Sequence, residues 1–251
     1  MNTTICNGCG FNATTTAPAH CPLCGTPGNR FLSEQKAAQR SNIKVSNINH
    51  RITRLKAEGL GTSVYRLETS AGYVWIDCLP LFNDAVAPVD AILFTHRDFM
   101  GATDRYQQAW HAETWLHREE QNHPLAQDHH ITHGFDDNFC RGDLEAFVIG
   151  GHTPGFTVYL HKDALFVCDL VLGQDDRMRF NAAGSPEANL GAATQLNTLL
   201  RRRKIRVVCG YNYVTDFRSW QSAFKKLIAK TERSLHALQL SQPVDLYRQT
   251  A

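Results

Sequence analysis

"ILFTHRDFMGATDRY", residues Ile92 to Tyr106, sets the terms for the rest of the chain. Ala91-Ile92-Leu93-Phe94 is an apolar run of the kind found in strands covered on both faces. It delivers Thr95 and His96 onto a loop. Arg97, Asp98, Phe99, Met100 and Gly101 follow, and "ATDRYQQAWHA" (102–112) then reads as a helix. A histidine and a carboxylate just past a strand are half of a metal-binding loop. The fold and the function both turn on whether the other half exists.

Working outward, short apolar strands precede the loop: "INHRITRL" (48–55), "TSVYRLET" (62–69) and "GYVWIDC" (72–78), with "SAG" as a hairpin turn between the last two. After the helix come "ETWLH" (113–117), "LEAFVIGG" (144–151), "FTVYLHKD" (156–163) and "ALFVCDLVLG" (164–173), with a tight turn at Lys162-Asp163. "SPEANLGAATQLNTLLRRRK" (185–204) predicts a helix with Ser185 as N-cap and Pro186 in the first position. "IRVVCGY" (205–211) is a last buried strand, and residues 216–240 form an amphipathic helix. Strands that meander and then alternate with helices imply sheets covered by helices on their outer faces.

The chain has 251 residues, 43% hydrophobic and 20% charged, with a net charge of +2. That length allows one sizeable core and a small appendage. The weak charge argues against a general nucleic-acid binder. No apolar run approaches the ~18 residues of a membrane span. "MNTTICNGCG" has no charged segment followed by an apolar one, so no signal peptide is expected and the cytoplasm is the expected compartment.

Four of the eight cysteines fall in "CNGCGFNATTTAPAHCPLCG": Cys6, Cys9, Cys21 and Cys24. Each Cys-x-x-Cys pair predicts a tight knuckle, and Gly10 and Gly25 allow the positive φ such a turn needs. Four thiolates in tetrahedral array suit zinc or a single iron. Two disulfides or four unrelated thiols are the alternatives, the disulfides disfavoured in a reducing compartment. Cys78, Cys140, Cys168 and Cys209 are scattered and expected to be ordinary thiols, mostly buried. Residues 1–32 form the Cys-rich unit, 33–45 a linker or short helix, and 46–251 the main domain.

Residues 1–31 resemble the rubredoxin-like domain that ends rubrerythrins, in the spacing of the cysteines and in Ala17, Pro18, Pro22 and Phe31. The resemblance implies an iron–tetrathiolate electron-transfer centre; zinc ribbons share the geometry.

Residues 46–230 resemble the metallo-β-lactamase superfamily, through marks in the right order. "VYRLETSAGYVWIDC" is similar to its opening hairpin, ending near Asp77. "ILFTHRDFMGA" stands where Thr-His-x-His-x-Asp-His-x-Gly is expected. "GGHTPGFTVYL", "ALFVCDLVLG" and "VVCGYNY" match three later segments. The resemblance implies an αββα sandwich with a site at one edge. It puts His96 at the first histidine, Asp98 at the second, His152 at the third and Asp169 at the bridging carboxylate. Met100, Gly101 and Tyr211 stand where a second ion's ligands would be; an alternative alignment moves Asp98 to the aspartate position.

Thioether, hydrogen and phenol are poor partners for a second divalent ion. His96, Asp98 and His152, with Asp169 near, suit one iron or zinc. Asp98 or Asp169 would orient the water in a hydrolytic reaction, because Met100 holds the usual aspartate position. The expectation is a metal-dependent, hydrolase-like protein acting on a small molecule. The alternatives are a redox protein passing electrons from the cysteine-bound iron to a core site or partner, and a non-catalytic scaffold in which His96 and His152 are structural. Six histidines lie between His111 and His133; His130 or His133 could lend a ligand, and a solvated loop is the plainer reading. The tryptophans are expected in the core.

Overall fold

The structure is a computed structural model and describes residues 3–14, 16–61 and 63–241. The first unit is a three-stranded sheet of β1 (Thr4–Cys6), β2 (Asn12–Ala13) and β3 (Phe31–Ser33), in the order β2-β1-β3. Helix α1 (Glu34–Arg40) follows, with the Ser33 side chain accepting from the Lys36 amide as N-cap.

A seven-stranded sheet comes next. It contains β4 (Ile43–Asn47), β5 (Ile52–Ala57), β6 (Ser63–Thr69), β7 (Gly72–Ile76) and β8 (Ala91–Leu93). Helix α2 (Thr103–Trp110) leads to β9 (Glu113–His117); two short helices, α3 (Arg118–Gln121) and α4 (Pro124–Gln127), lead to β10 (His133–Phe135). The order is β10-β9-β8-β7-β6-β5-β4. The pairs from β4 to β7 are antiparallel and those from β7 to β10 parallel.

The second large sheet has six strands. They are β11 (Phe139–Arg141), β12 (Leu144–Val148), β13 (Thr157–His161), β14 (Ala164–Cys168), β17 (Val207–Gly210) and β18 (Val214–Asp216), in that spatial order. A small hairpin, β15 (Val171–Leu172) with β16 (Arg179–Phe180), and helix α5 (Pro186–Leu200) connect β14 to β17, which pair in parallel. Helix α6 (Phe217–Ser241) is the last element among the described residues. No helix among the described residues is long and apolar enough to cross a membrane.

The burial pattern makes four layers. Tyr65, Leu67, Val74, Ile76 and Leu93 of the first sheet meet Leu144, Ala146, Tyr159, Phe166 and Cys209 of the second. Trp75, Ile92 and Phe94 face outward against Ala102 and Tyr106 at helix α2. Val158, Leu165 and Val208 face outward against Ala193, Leu196, Trp220 and Phe224 of α5 and α6. Each such large side chain stabilises the fold by about 1.5–3 kcal/mol. The result is the expected αββα sandwich with a small N-terminal unit.

Several local expectations differ from the structure. Residues 33–45 hold α1 and the start of β4, the edge strand of the large sheet. "INHRITRL" is not one strand: Ile48–Arg51 form the turn between β4 and β5, where Asn49 accepts from the amides of Arg51 and Ile52. "ALFVCDLVLG" breaks after Cys168, whose φ of +42° ends β14. Trp75 and Trp220 are buried, while Trp110 and Trp115 are half-buried. Of the scattered cysteines, Cys78, Cys168 and Cys209 are buried, in line with the expectation, and Cys140 is exposed.

Candidate metal centres

The cysteine knuckles are near copies. The Gly10 amide donates to the Cys6 carbonyl and the Gly25 amide to the Cys21 carbonyl, each at 2.9 Å. Both glycines have positive φ, +81° and +71°. All four thiols are free and their sulfurs lie within 4.8 Å of one another. Cys6 Sγ to Cys24 Sγ is 3.6 Å and Cys9 Sγ to Cys21 Sγ is 3.5 Å. A tetrahedral ion with ~2.3 Å bonds to sulfur would set that edge at about 3.8 Å, close to both of these separations. Burial pushes the Cys21 thiol up to about 11, while Thr26 holds Cys24 down to about 7 against the effect of burial. A bound cation reverses the first tendency by stabilising thiolates.

The core centre lies at strand ends. β8 runs out through Phe94 and Thr95 to His96. β14 ends at Cys168 and presents Asp169. The loop between β12 and β13 carries His152. His96 Nε2 and His152 Nε2 each stand 3.6 Å from Asp169 Oδ1. Two ligands of one tetrahedral ion with ~2.1 Å bonds are about 3.4 Å apart. His96 Nε2, both ring nitrogens of His152, and Asp169 Oδ1 are buried without a hydrogen-bond partner in the protein. Leaving such groups unsatisfied costs about 1–3 kcal/mol each, and an ion would satisfy three of those four atoms together.

Asp98 stands apart. Its Oδ2 is 3.5 Å from His96 Nε2, yet it is outside the His96, His152, Asp169 group. It is also the most exposed of the four, at 19%, so it lies on the solvent side. Burial acts to raise its pKa, and the neighbouring His96 overcomes this and lowers it. Burial raises Asp169 to about 6 and, with His96 nearby, lowers His152 to about 3. For His96, burial favours the neutral ring, but Asp169 and Asp98 outweigh it and push the pKa up to about 9.

Outer contacts orient these ligands. His96 Nδ1 is 2.9 Å from Thr95 Oγ1, whose hydroxyl donates to Asp77 at 2.9 Å; the Thr95 amide also donates to Asp77. Asp77 is itself in left-handed backbone conformation, φ +62°. Asn181 Nδ2 donates to Asp169 Oδ2, leaving Oδ1 facing the histidines. Glu120 is a residue that sequence reasoning misses. It is fully buried, accepts from Arg97 at 2.7 Å and from the Gly155 amide at 2.7 Å, and so clamps the His96 loop to the His152 loop. Its place in "HREEQNH" gives no sign of this role; only its partners, 23 and 35 residues away, reveal it.

The positions of the second ligand set are occupied differently. Met100 is buried among Cys78, Leu79, Phe94 and Tyr106. Gly101 has φ +49°, and a side chain there would run into the Leu79 carbonyl. The Tyr211 ring packs on Phe99, 5.3 Å between centroids, with its hydroxyl beside Gly61. His133 stacks on Trp115 and His130 lines a surface depression with Asp104 and His111, so neither joins the core group.

No family model and no curated protein sequence matches the chain. Solved structures do. A metallo-β-lactamase from Pontibacter korlensis superposes with a TM-score of 0.59 at 18% identity, over 76% of this chain and 99% of that one. The fold is the metallo-β-lactamase fold. FIM-1 from Pseudomonas aeruginosa, solved in a mono-zinc form, gives 0.59 at 12% identity, over 76% and 96% of the two chains. TTHA1623, solved in a di-iron-bound form, gives 0.51 at 20% identity, over 64% and 93%. At such identities the likeness concerns the fold alone.

Proposed function

We propose that the chain is a metal-dependent, hydrolase-like protein with a mononuclear core centre and a rubredoxin-like four-cysteine metal unit, the division falling at residues 1–32 and 46–251. The observation that supports it most is the convergence of His96 Nε2, His152 Nε2 and Asp169 Oδ1, all buried and without protein partners. His96, His152 and Asp169 would hold one iron or zinc, and Cys6, Cys9, Cys21 and Cys24 another. The core ion would supply Lewis acidity at an open coordination position. Asp98, ionised and at the solvent side, accepts a proton from an attacking water. Thr95 and Asp77 hold His96 with Nε2 turned inward. The substrate is a small molecule. A redox reading draws support from Cys24, which is exposed and so accessible to a partner protein.

The test is elemental analysis of protein produced with zinc or with iron, together with turnover of chromogenic esters, thioesters and β-lactams. One ion beyond the cysteine-bound one is expected, lost with turnover in His152→Ala. A core that takes no ion from either medium, or turnover indifferent to His152→Ala, overturns the reading.

A further inference from the structure

The first cysteine knuckle does not hang free of the sandwich. Gly10 is pressed between the Leu60 carbonyl and the Pro80 ring, each 2.7 Å from where a methyl group on Gly10 would sit. Asn12, buried, donates from Nδ2 to the carbonyls of both Gly10 and Pro80 at 2.9 Å. Ile5 of β1 joins Ala57, Leu60 and Leu81 in one apolar cluster. The knuckle therefore rests on two turns of the main domain, one after β5 and one after β7.

Both turns lead to the core centre. From Pro80 the chain runs back to Leu79, whose carbonyl accepts from the Ala102 amide at 2.8 Å, and to Cys78, whose amide donates to the Phe99 carbonyl at 3.1 Å. These bonds bracket the loop that follows His96. From Gly61, a methyl group would lie 2.5 Å from the Cys9 carbonyl oxygen and 3.2 Å from the Tyr211 hydroxyl. Tyr211 in turn donates its amide to the Cys168 carbonyl, next to Asp169, and packs its ring on Phe99. Phe99 stands edge-on to His96 with centroids 5.1 Å apart. The two routes meet at Phe99, and one passes beside Asp169.

We propose that the four-cysteine unit is a wall of the core centre, so that filling it with metal fixes Phe99 and Tyr211 and thereby tightens the ion held by His96, His152 and Asp169. Tyr211 is a positioning residue in this arrangement: it stands at the end of β17 beside Asp169 and spans to the knuckle. The knuckle is too small to keep its shape without an ion, and ligands whose outer contacts loosen lose about tenfold to a hundredfold in metal affinity. The inference rests on the proposed core metal centre.

Cobalt(II) titration of full-length protein with zinc already in the four-cysteine site reads the core affinity directly. Cys21→Ser should weaken core binding at least about tenfold. Gly61→Ala retains all four cysteines and their zinc, pushes on the Cys9 carbonyl and Tyr211, and should also weaken it. Tyr211→Phe, which keeps the ring, should change it less than Tyr211→Ala. Hydrogen exchange of residues 94–102 provides a readout that needs no core ion: protection should fall when the cysteine-bound zinc is removed. Core affinity and exchange both unchanged in Cys21→Ser and Gly61→Ala overturn the inference. A wild-type core that binds no cobalt, with exchange still responding to the cysteine-bound zinc, overturns the proposed metal function and leaves the wall in place.

Discussion

The two candidate centres are built on opposite principles. The cysteine site draws all its ligands from two copies of one turn, set in a three-stranded sheet with little apolar content of its own. The core site draws its ligands from two strand ends and the loop between β12 and β13, with His96 and Asp169 held by hydrogen bonds that exist without an ion. In the first, a bound metal would make the structure; in the second, the structure stands ready for one. Binding energy of an ion at the first centre would be folding energy, whereas at the second it would add to a scaffold already closed by the sandwich.

That contrast can be broken most directly by Cys21→Ser. The Cys-bound metal should be lost and residues 3–33 should lose amide protection, while the sandwich keeps its circular dichroism and cooperative melt. A melt that loses the sandwich as well would make the two centres one folding unit. Next in size is Glu120→Ala. It leaves Arg97, only 16% exposed, without its carboxylate and strips the Gly155 amide of its acceptor. Breaking a buried pair this way costs about 3 kcal/mol or more, which chemical denaturation would read as a fall in midpoint. Thr95→Val should be milder. It removes the contact with His96 Nδ1 and the hydroxyl bond to Asp77, and core metal affinity should drop by about tenfold with the cysteine metal untouched.

The smallest effect is a pH dependence at the far side of the sandwich. Burial lowers the pKa of His161 from its usual 6.5, Asp143 opposing in part. The folded chain then binds fewer protons than the unfolded one in this range, so stability rises with pH. The contribution is complete above the unfolded value and is lost as pH falls from there through the lowered folded value. Thermal midpoints should decline across that window in the wild type and decline less in His161→Gln. Equal slopes would assign the decline to other groups.

The same contrast governs what the sequence reveals. Cys6, Cys9, Cys21 and Cys24 announce their site because the ligand spacing and the turn are local. β6, β7, β13 and β14 are legible because buried strands need continuous or alternating apolar residues. His96, His152 and Asp169 can be picked out by their order along the chain, but their convergence needs the fold. β4 is hidden because four of its five residues are exposed on a sheet edge, and its two alternating apolar residues, Ile43 and Val45, are too few to mark a strand. Glu120, Thr95 and Asn181 are hidden because a hydrogen bond between distant residues leaves no periodic mark in either one.

Gly101 carries a consequence for anyone wishing to rebuild a two-ion centre. Its left-handed backbone and its closeness to the Leu79 carbonyl leave no room for an imidazole on that residue. The Ala102–Leu79 hydrogen bond fixes the same segment from the other side. Gly101→His alone would therefore misfold the loop before it supplied a ligand. Redesign must begin with the backbone path of residues 78–81 and only then turn to ligand identity, so the proposed single-ion state would be a property of main-chain routing that side-chain exchange cannot reverse.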